Sequence, residues 1–342
     1  MTRNEDLLKF GIETTIVPRN RDFITRCEKA GFESIWIDDH LMPWSDKDGK
    51  AFPYTTTMSW AVMPLLLEWT ESVTIGSAVT CPIIRYHPAI VAQYFAQLDN
   101  LYPGRVELSV GTGERINEGS VGEWPPYKER RARLIEAVEI IQLLWKKEDY
   151  FDYRGEYYQI NNAHLFVRPK KKIPLIISAA GPKSARLAGE IGDGLMILSG
   201  TPDEVKNLVD AFNKGAESNG KDPATMEREM YLFGGIVKEE FFAKVLRGFK
   251  RSVVWLLPEV LDVQDPREID EISKKIEDEM VKSKCLFYEN VDDLIGRFEE
   301  YREAGISKII FGDFTSLFNQ NPLGIDPMWH DTILPHFKGN LR

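Results

Sequence analysis

The chain has 342 residues, 43% of them hydrophobic and 11% aromatic, and a formal net charge of −10. Its length suits two average domains or one α/β barrel with insertions, and the negative charge without a long basic run argues against a nucleic-acid partner, whose affinity comes mostly from phosphate neutralisation. No apolar run approaches the roughly 20 residues that span a bilayer, and the opening MTRNEDLLKF has acids where a signal peptide is apolar, so a cytoplasmic protein with no membrane partner is expected. Cys27, Cys81 and Cys285 are far apart and odd in number, which speaks against a disulfide framework and a thiolate metal cage. A small-molecule substrate is the expected partner.

In chain order, LLKFGIETT (7–15) reads as a first strand, RDFITRCEKAG (21–31) as a helix and ESIWI (33–37) as a second strand. SVTIGSAVT (72–80), the helix-period run PAIVAQYFAQLDNLYPG (88–104), RVELSV (105–110) and the helical KERRARLIEAVEIIQLLWKK (128–147) follow. Then come IPLIIS (173–178), PKSARLAGEIG (182–192), GLMIL (194–198), TPDEVKNLVDAFNKGAESNG (201–220), MYLFGGIV (230–237), VDDLIGRFEEYREAG (291–305) and SKIIFG (307–312). Eight near-continuous apolar strands separated by helices predict parallel strands covered by helices, closed into a (β/α)8 TIM barrel that occupies residues 1–342 as a single domain. Two segments interrupt the repeat. Residues 149–172 alternate aromatic and polar residues around Arg154-Gly155 and predict a β-hairpin before strand five. Residues 238–290, rich in helix formers and broken by Pro258 and Pro266, predict a helical insertion between strands seven and eight, of the kind that covers an active-site mouth.

In such a barrel, chemistry belongs at the C-terminal ends of the strands. There the sequence places Glu13 after strand one, Asp39 and His40 after strand two, Cys81 after three, Thr112, Gly113 and Glu114 after four, and Ser178 to Gly181 after five. Singly, Asp39 reads as a helix N-cap, His40 as a hydrogen-bonded core histidine, Trp44 as packing and Glu114 as a solvated charge. Together they favour proton transfer, because a carboxylate beside His40 can fix its tautomer or raise its pKa. Asp38 and Asp39 with His40 suggest a metal site, but no second histidine lies at ligand spacing, so none is predicted. SVGTGERINEG (109–119) lacks the third glycine of a dinucleotide fingerprint, and Glu114 sits where a pyrophosphate would. SAAGPKSARLAGE (178–190) suits a phosphate cradle at a helix start with Lys183 and Ser184, or an ordinary helix start with Pro182 in its first turn.

DDHLMPW, TCPIIRYHPA, LYPGRVELSVGTGERINE, WPPYKERRARLIEA and AAGPKSARLAGEIGDG resemble, in order and spacing, the luciferase-like barrel superfamily. Within it they are most similar to the branch that uses the 5-deazaflavin coenzyme F420, especially the F420-dependent glucose-6-phosphate dehydrogenases. KFGIE is instead similar to the F420-dependent methylenetetrahydromethanopterin reductases of methane-metabolising archaea. The resemblance implies that Asp39 contacts the coenzyme, His40 exchanges a proton with the substrate, Trp44 shapes the substrate pocket and Glu114 is the second acid/base. It also places Thr112, Gly113 and Asn117 around the deazaflavin, Cys81 and Pro82 at a coenzyme-contacting bend, and Ala180, Gly181, Lys183 and Ser184 at the coenzyme phosphate. A cis peptide near Ala78-Val79 and a homodimer are further implications.

The resemblance therefore implies hydride transfer between F420 and a small organic substrate, with acid/base groups at both the substrate oxygen and the ring nitrogen. An FMN-dependent monooxygenase and a ligand-binding barrel without catalysis are the alternatives. Glu13, at the end of strand one, is expected to face the substrate and hints at a pterin-bound one-carbon unit. The sugar-phosphate dehydrogenases of the family hold the phosphate with basic side chains. The matching positions here are Thr201 and a lysine-free PEVLDVQDP, with only Lys284 left basic. Glucose 6-phosphate is therefore expected to be a poor substrate and a phosphate-free alcohol a better one, unless Lys244, Arg247 or Lys250 compensates.

Overall fold

The computed structural model describes residues 7–14, 20–51, 53–315 and 325–338. Its strands in chain order are β1 (Lys9–Glu13), β2 (Ser34–Ile37), β3 (Thr74–Thr80), β4 (Val106–Val110), β5 (Phe151–Arg154), β6 (Gln159–Ala163), β7 (Leu175–Ser178), β8 (Gly194–Ile197), β9 (Glu227–Ile236), β10 (Leu286–Tyr288) and β11 (Lys308–Asp313). Eight of them form a closed parallel ring in the order β1-β2-β3-β4-β7-β8-β9-β11. Lys9 opposite Lys308 joins β11 back to β1, and Gly194 opposite Glu227 joins β8 to β9. This is the (β/α)8 barrel that the alternating pattern predicts, and β5 and β6 form the antiparallel hairpin expected before the fifth barrel strand.

The helices are α1 (Arg21–Ala30), α2 (Asp46–Ala51), α3 (Ser59–Trp69), α4 (Pro88–Leu101), α5 (Arg115–Glu118), α6 (Tyr127–Lys146), α7 (Pro182–Ile191), α8 (Pro202–Ser218), α9 (Glu239–Phe249), α10 (Pro266–Ser273), α11 (Asp278–Lys284), α12 (Val291–Glu303) and α13 (Leu334–Lys338). Local chemistry sets their ends. The Asn20 side chain accepts from the Phe23 N–H at the start of α1, and Gly31 closes it at φ 102°, with its N–H returning to the Cys27 and Glu28 carbonyls. α3 escapes the sequence pattern because it is apolar nearly all round and holds Pro64. A proline there leaves the carbonyl four residues back without its helical donor. That carbonyl belongs to Trp60, and the Tyr94 hydroxyl of α4 donates to it at 2.5 Å.

The insertion also differs from expectation, since it contains a strand as well as helices. β9 outruns the ring by several residues, and Gly234, Gly235 and Ile236 pair with Leu286, Phe287 and Tyr288 of β10. A three-residue strand is too short for its periodicity to be read.

Inside the ring, Trp36 packs with Ile176, Met196, Tyr231 and Ile310. Gly76 makes room for its indole: a Cβ there would lie 2.4 Å from the Trp36 ring. Below this layer Lys308 is buried with Nζ 2.9 Å from Glu107 and 2.6 Å from Glu229. One ammonium faces two carboxyl groups, and burial, then the Glu107 charge, pushes the Glu229 carboxyl well above the usual range. Removing the lysine leaves both glutamates buried without a cation. Lys308→Met is expected to lower the unfolding free energy by about 3–5 kcal/mol. Without the ammonium that opposes the rise, the Glu229 carboxyl moves further above its unfolded value, so the loss grows as pH rises, and chemical denaturation of both proteins at pH 5 and pH 8 checks it.

Candidate functional site

The C-terminal ends of the strands surround a cavity of about 710 Å³. Glu13 lines it from the end of β1, and Asp38, His40 and Trp44 line it from the loop after β2. Ala78 reaches it from β3 and Glu114 from the loop after β4. Its outer wall comes from β9 and the insertion, where Phe233, Val245, Phe249 and Trp255 give an apolar surface.

His40 and Glu114 meet through Asn117. α5 starts at Glu114 and is held by the Glu114 backbone N–H donating to Glu118 Oε2 at 2.6 Å. One turn on, buried Asn117 accepts from the backbone N–H groups of Leu41 and Met42, at 2.8 and 3.0 Å, through Oδ1. Its Nδ2 lies 2.9 Å from His40 Nδ1 and donates to Glu114 Oε2 at 2.9 Å. His40 Nδ1 and Glu114 Oε2 are 3.8 Å apart. Burial, then the charge of Arg85, holds the imidazole down to about 4, so His40 is neutral at pH 7. Burial, then the Glu118 charge, pushes the Glu114 carboxyl up to about 8. With 28% of that side chain open to the cavity, water there moderates the rise, and the protonated form still prevails at neutral pH.

Beneath them lies an ion cluster. Arg85 Nη2 donates to Asp39 Oδ2 at 2.9 Å and to the Asp39 carbonyl at 2.8 Å, while its Nε faces Glu118 Oε1 at 3.5 Å. Asp39 also accepts from the Ser59 N–H and the Tyr86 hydroxyl. Its carboxylate therefore ties the loop after β2 to the loop after β3, and it is not among the residues lining the cavity. The Tyr231 hydroxyl in β9 donates to Asp38 Oδ1 at 2.6 Å.

Cys81 and Pro82 are buried just past β3, where the Ala78-Val79 peptide is cis. Thr112 and Gly113 form the turn after β4. Gly113 sits at φ 73°, and a Cβ there would lie 2.5 Å from Glu118 and 2.6 Å from Cys81 Sγ, so both backbone conformation and space demand glycine. After β7, Ala180 is exposed, and Gly181 begins α7 with no side-chain cap and open space where a Cβ would stand. Lys183 is exposed beside it, and Ser184 shares a 2.8 Å hydrogen bond with Tyr127. That helix start offers uncapped N–H groups on the same face of the barrel.

Thr201 and Lys284 lie elsewhere. Thr201 caps α8 in a reciprocal pair with Glu204, and Lys284 Nζ is 3.7 Å from the same Glu204. Neither lines the cavity. Arg85, Glu118 and Tyr231 were not singled out by sequence. Only Tyr231, a polar residue within an apolar strand, and Glu118, one turn from Glu114, carried a local signal. Among the described residues no group of three His, Cys, Asp or Glu side chains is arranged to hold a metal, and no helix is long and apolar enough to cross a membrane.

An F420-dependent glucose-6-phosphate dehydrogenase of Microbacterium testaceum (strain StLB037) is 34% identical over 295 residues, 85% of this chain and 86% of that one. The F420-dependent hydroxymycolic acid dehydrogenase of Mycobacterium tuberculosis (strain ATCC 25618 / H37Rv) is 41% identical over 219 residues, 64% of this chain and 59% of that one. Among solved structures, an F420-dependent secondary alcohol dehydrogenase in complex with an F420-acetone adduct matches with a TM-score of 0.89 at 32% identity, covering 97% of this chain and 100% of that one. The coenzyme F420-dependent tetrahydromethanopterin reductase from Methanopyrus kandleri shares the fold, with a TM-score of 0.75 at 21% identity over 97% and 99% of the two chains. Residues 11–308 match the luciferase-like monooxygenase family model, and with the match running from the first barrel strand to the start of the last, the chain belongs to that family.

Proposed function

We propose that this chain is a coenzyme F420-dependent oxidoreductase, which moves a hydride between the deazaflavin and a phosphate-free secondary alcohol or its ketone. The observation that carries the reading is the cavity, where a neutral imidazole and a raised carboxyl share one asparagine beneath an apolar wall. The relatives named for F420 over 85% of the chain support the coenzyme, and the named alcohol dehydrogenase at 32% identity supports the substrate class.

The residues present fit such a coenzyme. The uncapped start of α7 with Lys183 suits its phosphate-bearing tail, and the open space at Gly181 leaves that backbone free to approach it closely. Bound there, F420 supplies a ring carbon that gives or takes a hydride. The protein's part is to orient the substrate oxygen and to manage its proton. His40 and Glu114 are within reach of both tasks, and Trp44 with the aromatic wall excludes water. As the family expectation has it, two chains assemble as a homodimer.

Charge favours a substrate without phosphate. Glu13, Asp38 and Asp48 line the cavity, against Lys244 and Arg251, and Arg251 is already paired with Asp48 at 2.8 Å. Among the described residues that line the cavity, a dianion meets one uncommitted cation, Lys244. A pterin-bound one-carbon unit is a second reading, favoured by Glu13 at the cavity.

Three measurements test this. Fluorescence titration should find F420 bound and FMN not, with Lys183→Ala weakening F420 about tenfold or more, as loss of one charged hydrogen bond does; tight FMN binding without F420 binding overturns the reading. In steady-state assays 2-propanol or a larger secondary alcohol should reduce F420, and efficient turnover of glucose 6-phosphate would refute the phosphate-free assignment. Glu114→Gln should lower turnover by about two to four orders of magnitude. It should also shift the pH dependence of stability. The Glu114 carboxyl is raised from an unfolded value near 4.3 to about 8, so the wild type loses stability as pH rises across that window. The variant does not titrate there, and its melting temperature should gain on the wild type steadily between pH 5 and pH 8.

A further inference from the structure

Asn117 makes four hydrogen bonds, and two of them cannot be reversed. The Leu41 and Met42 N–H groups are fixed backbone donors 2.8 and 3.0 Å from Oδ1. Turning the amide over would set its NH2 against both of them, so Oδ1 must face the backbone and the two Nδ2 hydrogens must face His40 Nδ1 and Glu114 Oε2. A ring nitrogen that faces an N–H at 2.9 Å has to offer a lone pair. Nδ1 is therefore bare, and in a neutral imidazole the proton must sit on Nε2. Nε2 makes no bond to the described residues, and His40 lines the cavity.

We propose that Asn117 is a positioning residue that locks His40 in the Nε2–H tautomer, so that His40 meets the substrate oxygen as a hydrogen-bond donor and not as a base. The inference rests on the functional reading above for the identity of that oxygen, while the tautomer itself rests on the geometry alone. A base would need a lone pair on Nε2 and hence a proton on Nδ1, directed at the amide hydrogens of Asn117. An imidazolium meets the same conflict, in agreement with the low pKa that burial and Arg85 impose. His40 then polarises a carbonyl, or holds an alcohol oxygen, without changing its own charge. Titration at the cavity is left to carboxyl groups, of which Glu114 shares the same amide.

Long-range proton–nitrogen NMR of 15N-histidine-labelled protein without coenzyme decides the tautomer, with His40 assigned among the five histidines by its absence from His40→Gln. The expected spectrum has a protonated Nε2 and a bare Nδ1 from pH 6 to pH 8. A bare Nε2 in that range overturns the proposal whatever the variants do. Asn117→Asp replaces the donor facing Nδ1 with an acceptor, and should move the proton to Nδ1 or give an imidazolium. It should also lower kcat for a secondary alcohol at saturating F420 about 100-fold or more, since one donor to a reacting oxygen is worth about 100- to 1000-fold. An unchanged spectrum or unchanged kcat in Asn117→Asp refutes the lock or its role. If Asn117→Asp does not fold, Asn117→Ser removes the donor and should give a mixture of tautomers, and a single unchanged tautomer refutes the lock. If F420 does not bind, the functional reading fails and takes the substrate contact with it, whereas a bare Nε2 with F420 bound sinks this inference alone.

Discussion

Arg85 is the cation on which the site is built. Its side chain is 11% exposed, and the Asp39 and Glu118 carboxylates it serves are 0% and 2% exposed. Asp39 follows β2, Arg85 follows β3 and Glu118 ends α5, after β4, so one guanidinium fixes three neighbouring loops of the rim. The loss of such a cation would leave two carboxylates without compensation, and burying an unpaired charge costs far more than an exposed pair returns. Glu118 in turn takes the N–H of Glu114, which starts the turn carrying Asn117. The geometry at His40 is thus set three contacts away from it, in a layer the cavity does not touch.

The same burial acts with opposite sign on the two groups above that layer. It disfavours the charged form of each, lowering the imidazole and raising the carboxyl. Arg85 adds to the first effect and Glu118 to the second. The outcome is an acid and an imidazole 3.8 Å apart that are both neutral near pH 7. A pair of this kind presents polarity without net charge.

Much of the barrel was legible because each parallel strand is buried on both faces and reads as an unbroken apolar run. The rim was legible too, since barrel geometry sends the residues after each strand to one face, and Glu13, His40, Trp44 and Glu114 do reach one cavity. What escaped is what depends on distant partners. Arg85 and Asp39 are 46 positions apart, Asn117 and His40 are 77, and Tyr231 and Asp38 are 193, separations that no local pattern encodes. Asp39 shows the limit from the other side. It stands between two residues that line the cavity, while its own carboxylate is held by Arg85, the Ser59 N–H and the Tyr86 hydroxyl.

The insertion explains how one mouth can serve different substrates. Val245, Phe249, Val253, Val281 and Phe287 form a small core of their own, with Trp44 packed against it. Backbone pairing of β10 with the overrun of β9 ties that core to the ring, so the apolar wall is held by strand hydrogen bonds and by packing together. Such a wall is preformed, and it can present its aromatic face with little loss of side-chain freedom on binding. The polar floor comes from the end of β1 and from the loops after β2 and β4, and Arg85 and Asn117 hold those two loops in place. Changes in the insertion can therefore reshape what the cavity admits while leaving His40 and Glu114 where they are, because the insertion has a core of its own and Phe233 packs against both that core and the one inside the ring.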